Sequence, residues 1–89
     1  MKRRRSRDWP NWWEWELDLD SAHLLTRMED REFNETDLRE MLESADTYRR
    51  DIIEGRWVIE THHRQRRWEI IVEPDDRWQL LVVVTAYRV

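Results

Sequence analysis

The sequence predicts a single small α+β domain, in which a short N-terminal strand and two helices lead into an antiparallel sheet of three to four strands. Three observations predict it. Apolar residues recur with the helical period between residues 20 and 46. They alternate as in strands before and after that segment. The length of 89 residues leaves room for one hydrophobic core. We therefore expect residues 12–89 to form the domain and residues 1–11 to be a flexible basic arm.

The domain is expected to begin with a strand over residues 13–20. Tryptophans and leucines alternate there with four acidic residues. This period of two would place Trp13, Trp15, Leu17 and Leu19 on one face and the acids on the other.

Two helices are expected next. The first begins at Asp20 or Ser21, either of which can cap it, and runs to about Arg31. The second covers residues 35–46 and has Asn34 as its cap. The apolar stripes are Leu24, Leu25 and Met28 in the first helix, and Leu38, Met41, Leu42 and Ala45 in the second.

The C-terminal half alternates as strands separated by turn residues. The expected strands cover residues 48–53, 57–64, 67–73 and 78–87. A hairpin turn at Gln65 and Arg66 would place His63 opposite Trp68 and on the more apolar face of the sheet. The last strand has apolar residues on both faces, which indicates a central or well-covered position.

Composition excludes several classes of site. The chain has no cysteine, so it has neither a disulfide framework nor a thiolate metal site. One glycine leaves no glycine-rich phosphate loop, and the spacing of the three histidines fits no familiar zinc pattern. No apolar run approaches the roughly 18 residues of a membrane span. We therefore expect no cofactor, no metal, no membrane contact and a place in the reducing cytoplasm.

Charge is distributed unevenly. Residues 1–8 carry five basic residues and one acidic residue, Asp8, which gives this segment a charge of +4. Because the whole chain has a net charge of −4, the remaining residues carry −8. An acidic body argues against broad nonspecific binding of nucleic acid, but it leaves room for a local basic site.

A cationic row lies on the first helix, where His23, Arg27 and Arg31 follow one another at intervals of four residues. The row could face a phosphate with His23 as an acid or base, or it could be a solvated helix face. A second basic cluster, Arg64, Arg66 and Arg67 beside Trp68, could grip phosphate and stack a base, or be an ordinary charged turn.

His63, Thr85 and Tyr87 are candidates on the sheet. His63 could be an acid or base, or a buried histidine satisfied by one hydrogen bond. Thr85 and Tyr87 share a face of the last strand. On the face of His63 they could position a phosphate or a proton, and otherwise they mark the place where the strand emerges into solvent.

Four short motifs extend over most of residues 15–89: His23-x-x-x-Arg27-Met28-x-x-Arg31, Phe33-x-x-x-Asp37-Leu38, Gly55-Arg56-Trp57-Val58 and Val82-Val83-Val84-Thr85-Ala86-Tyr87. They resemble a bacterial family of unknown function whose domains are similar to the small RNase toxins of the RelE-like, barnase–colicin group. The resemblance implies helices followed by a curved antiparallel sheet. It also implies metal-independent RNA cleavage, in which the 2′-hydroxyl attacks the adjacent phosphate. By position it gives roles to His23, Arg27, Thr85, Tyr87 and His63.

Three functions stay open at this point. The first is an endoribonuclease, the toxin of a toxin–antitoxin pair, with His63 and then His23 as acid or base and Tyr87 and Thr85 in support. Its RNA would be held by Arg27, Arg31, Arg64, Arg67 and Trp68. The second is a noncatalytic module that docks an antitoxin or another protein through exposed tryptophans, namely Trp9, Trp12, Trp13 and Trp15. The third is a self-assembling homodimer that pairs through a sheet edge.

Overall fold

A computed structural model describes residues 11–89, and these form an α+β domain as predicted. A 3₁₀ turn at Trp12–Glu14 precedes β1 (Glu16–Asp18), α1 (Ala22–Arg31), α2 (Glu35–Glu43), β2 (Thr47–Arg50), β3 (Trp57–His63), β4 (Arg66–Asp75) and β5 (Leu80–Arg88). Apart from Asn11, the predicted arm lies outside the described residues, and so does Trp9. In residues 11–89, neither helix has the length and apolar character that a membrane-spanning helix needs.

The five strands form one mixed sheet in the order β1-β5-β4-β3-β2. Neighbours among β2 to β5 are antiparallel, but β1 pairs with β5 in parallel. The antiparallel sheet predicted for the C-terminal half is confirmed, and β1, whose partner the sequence did not indicate, adds a parallel fifth strand at its edge. Parallel neighbours need a crossover between them, and the helices and strands between β1 and β5 supply it.

The tryptophan-rich segment at the start of the domain, residues 12–20, does not form the predicted eight-residue strand. The Trp15 N–H donates to the Trp12 carbonyl at 3.0 Å, which closes the 3₁₀ turn and leaves only three residues in β1. Both indoles are buried, with Trp12 5% exposed and Trp15 9% exposed. A spacing of three residues puts both rings on one side of a turn, whereas strict alternation would separate them. Their predicted exposure as a docking surface was wrong.

Local side-chain hydrogen bonds set the helix ends. Ser21 caps α1 by accepting from the Leu24 N–H. Asn34 and Asp37 form a capping box at the start of α2, with bonds of 3.0 and 2.9 Å. The second helix ends at Glu43 instead of residue 46, because the Asp46 N–H already pairs with the Glu60 carbonyl of β3 at 2.7 Å.

The core lies between the two helices and one face of the sheet. Its members include Trp12, Trp15, Leu24, Phe33, Leu38, Met41, Leu42, Ile59, Trp68, Ile70, Val72, Leu81, Val83 and Ala86. We call this the helix-covered face and the other side of the sheet the open face. Leu25, predicted to belong to the apolar stripe of α1, is instead 52% exposed.

The β3–β4 hairpin turns at Arg64 and Gln65, one residue earlier than predicted. Both residues have left-handed backbones, with φ of 52° and 66°, as two-residue hairpin turns require. The usual sequence signal for this turn is Asn-Gly, which is absent here, so the turn was misplaced. His63 therefore lies opposite Arg66, and Trp68 lies opposite Thr61. The register differs from the predicted one by two residues, so His63 and Trp68 still share a face.

A β-bulge in β5 decides which side chains face the helices. Ile71 pairs with Thr85 but Val72 pairs with Val83, so Val84 has no partner on β4. The Val84 carbonyl accepts from the Ser21 hydroxyl at 2.8 Å instead. Regular alternation from Val83 would have put Thr85 and Tyr87 on the face of His63. The extra residue turns both onto the open face.

Candidate functional site

A cleft of about 380 Å³ opens at the end of the sheet where the β3–β4 hairpin turns. It is lined by Asp30, Arg31, Glu32, His63, Arg64, Arg66, Trp68 and Arg88. Of the predicted site residues, the structure brings four together here: His63, Arg31, Arg64 and Trp68.

Strand register and one aromatic contact position these side chains. Arg66 lies directly opposite His63, and Arg88 lies directly opposite Trp68 on the next strand. The Phe33 ring packs edge-on against the Trp68 ring, with centroids 5.1 Å apart. Because Phe33 follows α1 by two residues, this contact holds the last turn of the helix, with Arg31, beside the hairpin.

Four arginines give the cleft its charge, against the carboxylates of Asp30 and Glu32. Within residues 11–89, none of the four guanidinium groups (Arg31, Arg64, Arg66 and Arg88) forms an ion pair. Arg39, Arg49 and Arg56 are all paired with glutamates. The cleft thus concentrates unpaired positive charge on an acidic chain.

His63 lies at the inner wall of the cleft, with its side chain 10% exposed. Its Nε2 is enclosed and makes no hydrogen bond within the described part of the chain. The nearest acidic atom is Asp37 Oδ1 at 3.7 Å, which is within ion-pairing distance of a protonated ring but too long for a hydrogen bond. Asp37 itself is fixed, because its Oδ2 accepts from the Asn34 N–H in the capping box. The imidazole of His63 therefore lies next to a carboxylate that the capping box holds in place.

The same imidazole belongs to a set of groups that could hold a metal ion. One ligand atom from each of Asp37, Glu40 and His63 lies within 4.8 Å of the others. Asp37 and Glu40 are one turn apart on α2, so their side chains share a side of the helix.

Trp68 lines the cleft but does not offer a stacking surface. Its side chain is 4% exposed and packs against Phe33 and His63. The predicted role of Trp68 in stacking a base was therefore wrong, because a base needs an open ring face.

Five predicted site residues lie away from the cleft. His23 is exposed in the first turn of α1, and neither it nor Arg27 lines the cleft, whereas Arg31 does so from the last turn. The other three lie on the open face, to which Glu69 and Ile71 of β4 also point. Tyr87 pairs with Glu69, Thr85 pairs with Ile71, and Arg67 is two residues from Glu69 on the same strand. Of the two faces left open for Thr85 and Tyr87, the structure has the one opposite to His63, because the bulge in β5 shifts the alternation by one residue.

Charged groups on the open face bond to one another. Arg49 pairs with Glu60 at 3.2 Å and with Glu69 at 3.3 Å, and Glu60 also accepts from the Thr47 hydroxyl. The Thr47 hydroxyl and Arg49 lower the pKa of Glu60. The Tyr87 hydroxyl donates to Glu69 Oε1 at 2.7 Å, and burial together with this bond raises the pKa of Tyr87 to about 12. A phenol held in this way is a poor proton acceptor near neutral pH.

Sequence reasoning missed Arg88 in the cleft and Asp37 beside it. Arg88 lies beyond the predicted end of the last strand. Arg66 was named in the predicted basic cluster, but it begins β4 instead of lying in the turn. The capping-box spacing of Asn34 and Asp37 predicts the position of Asp37 on α2, but it does not predict that Asp37 lies near His63. That proximity depends on how α2 packs on β3, where the Thr61 hydroxyl donates to the Met41 carbonyl at 2.6 Å.

Comparison with known proteins gives one match. A family model described as a domain of unknown function, DUF4258, matches residues 21–88. No curated protein and no solved structure matches the chain. The match covers both helices and strands β2 to β5, and it confirms the predicted membership of a family of unknown function, while the likeness to RNase toxins stays a prediction. The chain therefore belongs to the DUF4258 family.

Proposed function

We propose that the cleft binds the phosphate backbone of RNA and cleaves it without a metal ion, with His63 as an acid or base. The observation that carries the proposal is that His63 lines the same cleft as four arginines that form no ion pair within residues 11–89. Guanidinium groups bind phosphate oxygens in pairs and stabilise extra negative charge on a phosphate. An imidazole can transfer protons near neutral pH.

The reaction would use groups on opposite sides of one phosphate. The 2′-hydroxyl loses a proton and attacks phosphorus, and the bond to the 5′-oxygen breaks as that oxygen gains a proton. One step needs a base and the other an acid. His63 supplies one of them, and the cleft carboxylates of Asp30 and Glu32 are available for the other. The arginines stabilise the doubly charged phosphorane between the two steps.

The site differs from the one that the sequence suggested. Arg66 of the predicted basic cluster stays in it, and Arg88 and Asp37 join it. The predicted residues that have no part in it are His23, Arg27, Arg67, Thr85 and Tyr87. Asp37 is a positioning residue, because it approaches His63 and does not line the cleft. Under this proposal the protein is the toxin of a toxin–antitoxin pair that acts on RNA in the cytoplasm, and its antitoxin would cover the cleft. The interaction-module alternative has lost two of its four anchors, since Trp12 and Trp15 are core residues.

Cleavage of RNA by the purified chain in the presence of EDTA tests the proposal. His63→Ala should lower the cleavage rate by about 10²- to 10⁴-fold, the usual contribution of an acid–base group. His62→Ala is the matched control, because His62 is the neighbouring residue, is exposed and points to the open face. It should cleave within about twofold of the original protein. Circular dichroism checks that both variants fold.

Two results would contradict the proposal. One is the absence of cleavage with every RNA tried, including message bound to ribosomes. The other is a folded His63→Ala protein that cleaves as fast as the original.

A further inference from the structure

We propose that Asp37, Glu40 and His63 form a binding site for a divalent transition-metal ion, with Zn²⁺ as the expected occupant. The proposal goes beyond RNA cleavage and does not depend on it. It rests on the positions of three ligand atoms and on the state of one imidazole nitrogen.

The separations of the atoms fit one ion. All three ligand atoms lie within 4.8 Å of one another, and His63 Nε2 is 3.7 Å from Asp37 Oδ1. With bonds of about 2.0–2.2 Å, two ligands of a tetrahedral zinc ion are about 3.4 Å apart. Small rotations of the side chains would therefore bring the atoms into contact with the ion. Glu40 can make such a rotation freely, because it is exposed.

The enclosed nitrogen of His63 is a second observation that points to a ligand. The side chain is nine-tenths buried, and Nε2 faces the Asp37 carboxylate without a hydrogen bond. The other enclosed and unpartnered side-chain atoms in residues 11–89 are the indole nitrogens of Trp12, Trp15 and Trp68, which can only donate a proton. A neutral imidazole nitrogen can accept a metal, and a metal bond at Nε2 would satisfy it.

The surroundings support the same ligand set. Asp37 Oδ2 already accepts from the Asn34 N–H at 2.9 Å, which fixes the carboxylate and leaves Oδ1 directed at His63. Hydrogen bonds of this kind orient ligands in known metal sites. One imidazole favours zinc and related ions over Mg²⁺ and Ca²⁺, which prefer oxygen ligands alone. Three protein ligands leave a position open for water.

Metal binding would oppose the proposed cleavage. The same imidazole lines the cleft, so an ion on Nε2 would withdraw His63 from proton transfer. Under the proposed function the site would therefore be inhibitory.

Titration of the metal-free full chain with Zn²⁺ in a calorimeter, without RNA, tests the site. The original protein should bind one ion in a saturable manner. Glu40→Gln should weaken Zn²⁺ binding by at least about tenfold. Even the loss of a residue that only hydrogen-bonds to a metal ligand lowers metal affinity by about 10- to 100-fold. His63→Ala should lose saturable binding. Glu40→Gln removes a ligand from an exposed position and keeps the experiment informative if His63→Ala fails to fold.

Two controls isolate the site from other acidic and histidine groups. Glu29→Gln removes an exposed carboxylate of α1, and His62→Ala removes the exposed histidine that lies 3.0 Å from Asp46. Both should bind Zn²⁺ within about twofold of the original protein. The site is overturned if the original protein shows no saturable binding, if Glu40→Gln binds as the original does, or if His62→Ala weakens binding as much as His63→Ala. Because no RNA is present, such a failure leaves the cleavage test untouched.

Discussion

The cleft and the open face of the sheet both carry arginines and carboxylates, yet they use them differently. On the open face Arg49, Glu60 and Glu69 bond to one another, and Tyr87 adds its hydroxyl to the network. In the cleft the arginines form no ion pair and His63 Nε2 forms no hydrogen bond with any group of residues 11–89. Charges that satisfy one another contribute to the fold, whereas unpaired charges around an imidazole are available to a ligand. The difference supports the proposal that the cleft is the functional site.

Trp12 packs in the core on the helix-covered face, whereas Trp78 lies at the surface. Trp12→Ala should lower the free energy of unfolding by about 3–5 kcal/mol, because it removes a large buried ring. Trp78 is 72% exposed in the β4–β5 turn, so Trp78→Ala should change that free energy by less than about 0.5 kcal/mol. Urea unfolding followed by circular dichroism measures both. Equal costs for the two substitutions would contradict the placement of Trp12 in the core.

A smaller effect concerns the open-face network. Burial and the bond to Glu69 hold the proton of Tyr87 until about pH 12, above its ordinary value near 10. The folded state then binds this proton more tightly than the unfolded state does, so the contribution is complete below pH 10 and is lost as pH rises from about 10 to 12. In Tyr87→Phe the free energy of unfolding should therefore fall less between pH 10 and about 12 than it does in the original protein.

Ultraviolet titration of phenolate, with unfolding curves between pH 9 and 12, measures the effect. The original protein should show an ionisation step near pH 12 that is missing in Tyr87→Phe. If the step stays in the variant, the network does not control this phenol.

Much of the fold follows from local signals, but the site does not. The caps at Ser21 and Asn34 and the period of α2 were readable, because each depends on neighbours in sequence. The side of the sheet reached by Thr85 and Tyr87 was not readable, because it depends on the unpaired residue Val84. The positive charge of the cleft comes from α1, the hairpin and the end of β5, and only their packing shows which arginines lack partners. His63 was the exception, since alternation alone placed it at the edge of the apolar face.

RNA binding by arginine variants of the two regions tests whether the cleft binds phosphate. The double variant Arg64→Ala, Arg66→Ala removes two cleft cations, and Arg49→Ala removes one from the open face. We expect the double variant to bind single-stranded RNA at least about 100-fold more weakly, since it loses two contacts and each hydrogen bond to a charged group contributes about 1.5–3 kcal/mol. The slope of log K against log salt should fall by about 1.4 for the two lost phosphate contacts.

Fluorescence anisotropy with a labelled RNA that carries 2′-O-methyl groups measures binding without cleavage. Arg49→Ala should bind within about twofold of the original protein. A loss of affinity in Arg49→Ala that equals the loss in the double variant, or an unchanged affinity in the double variant, would contradict the assignment of function to the cleft.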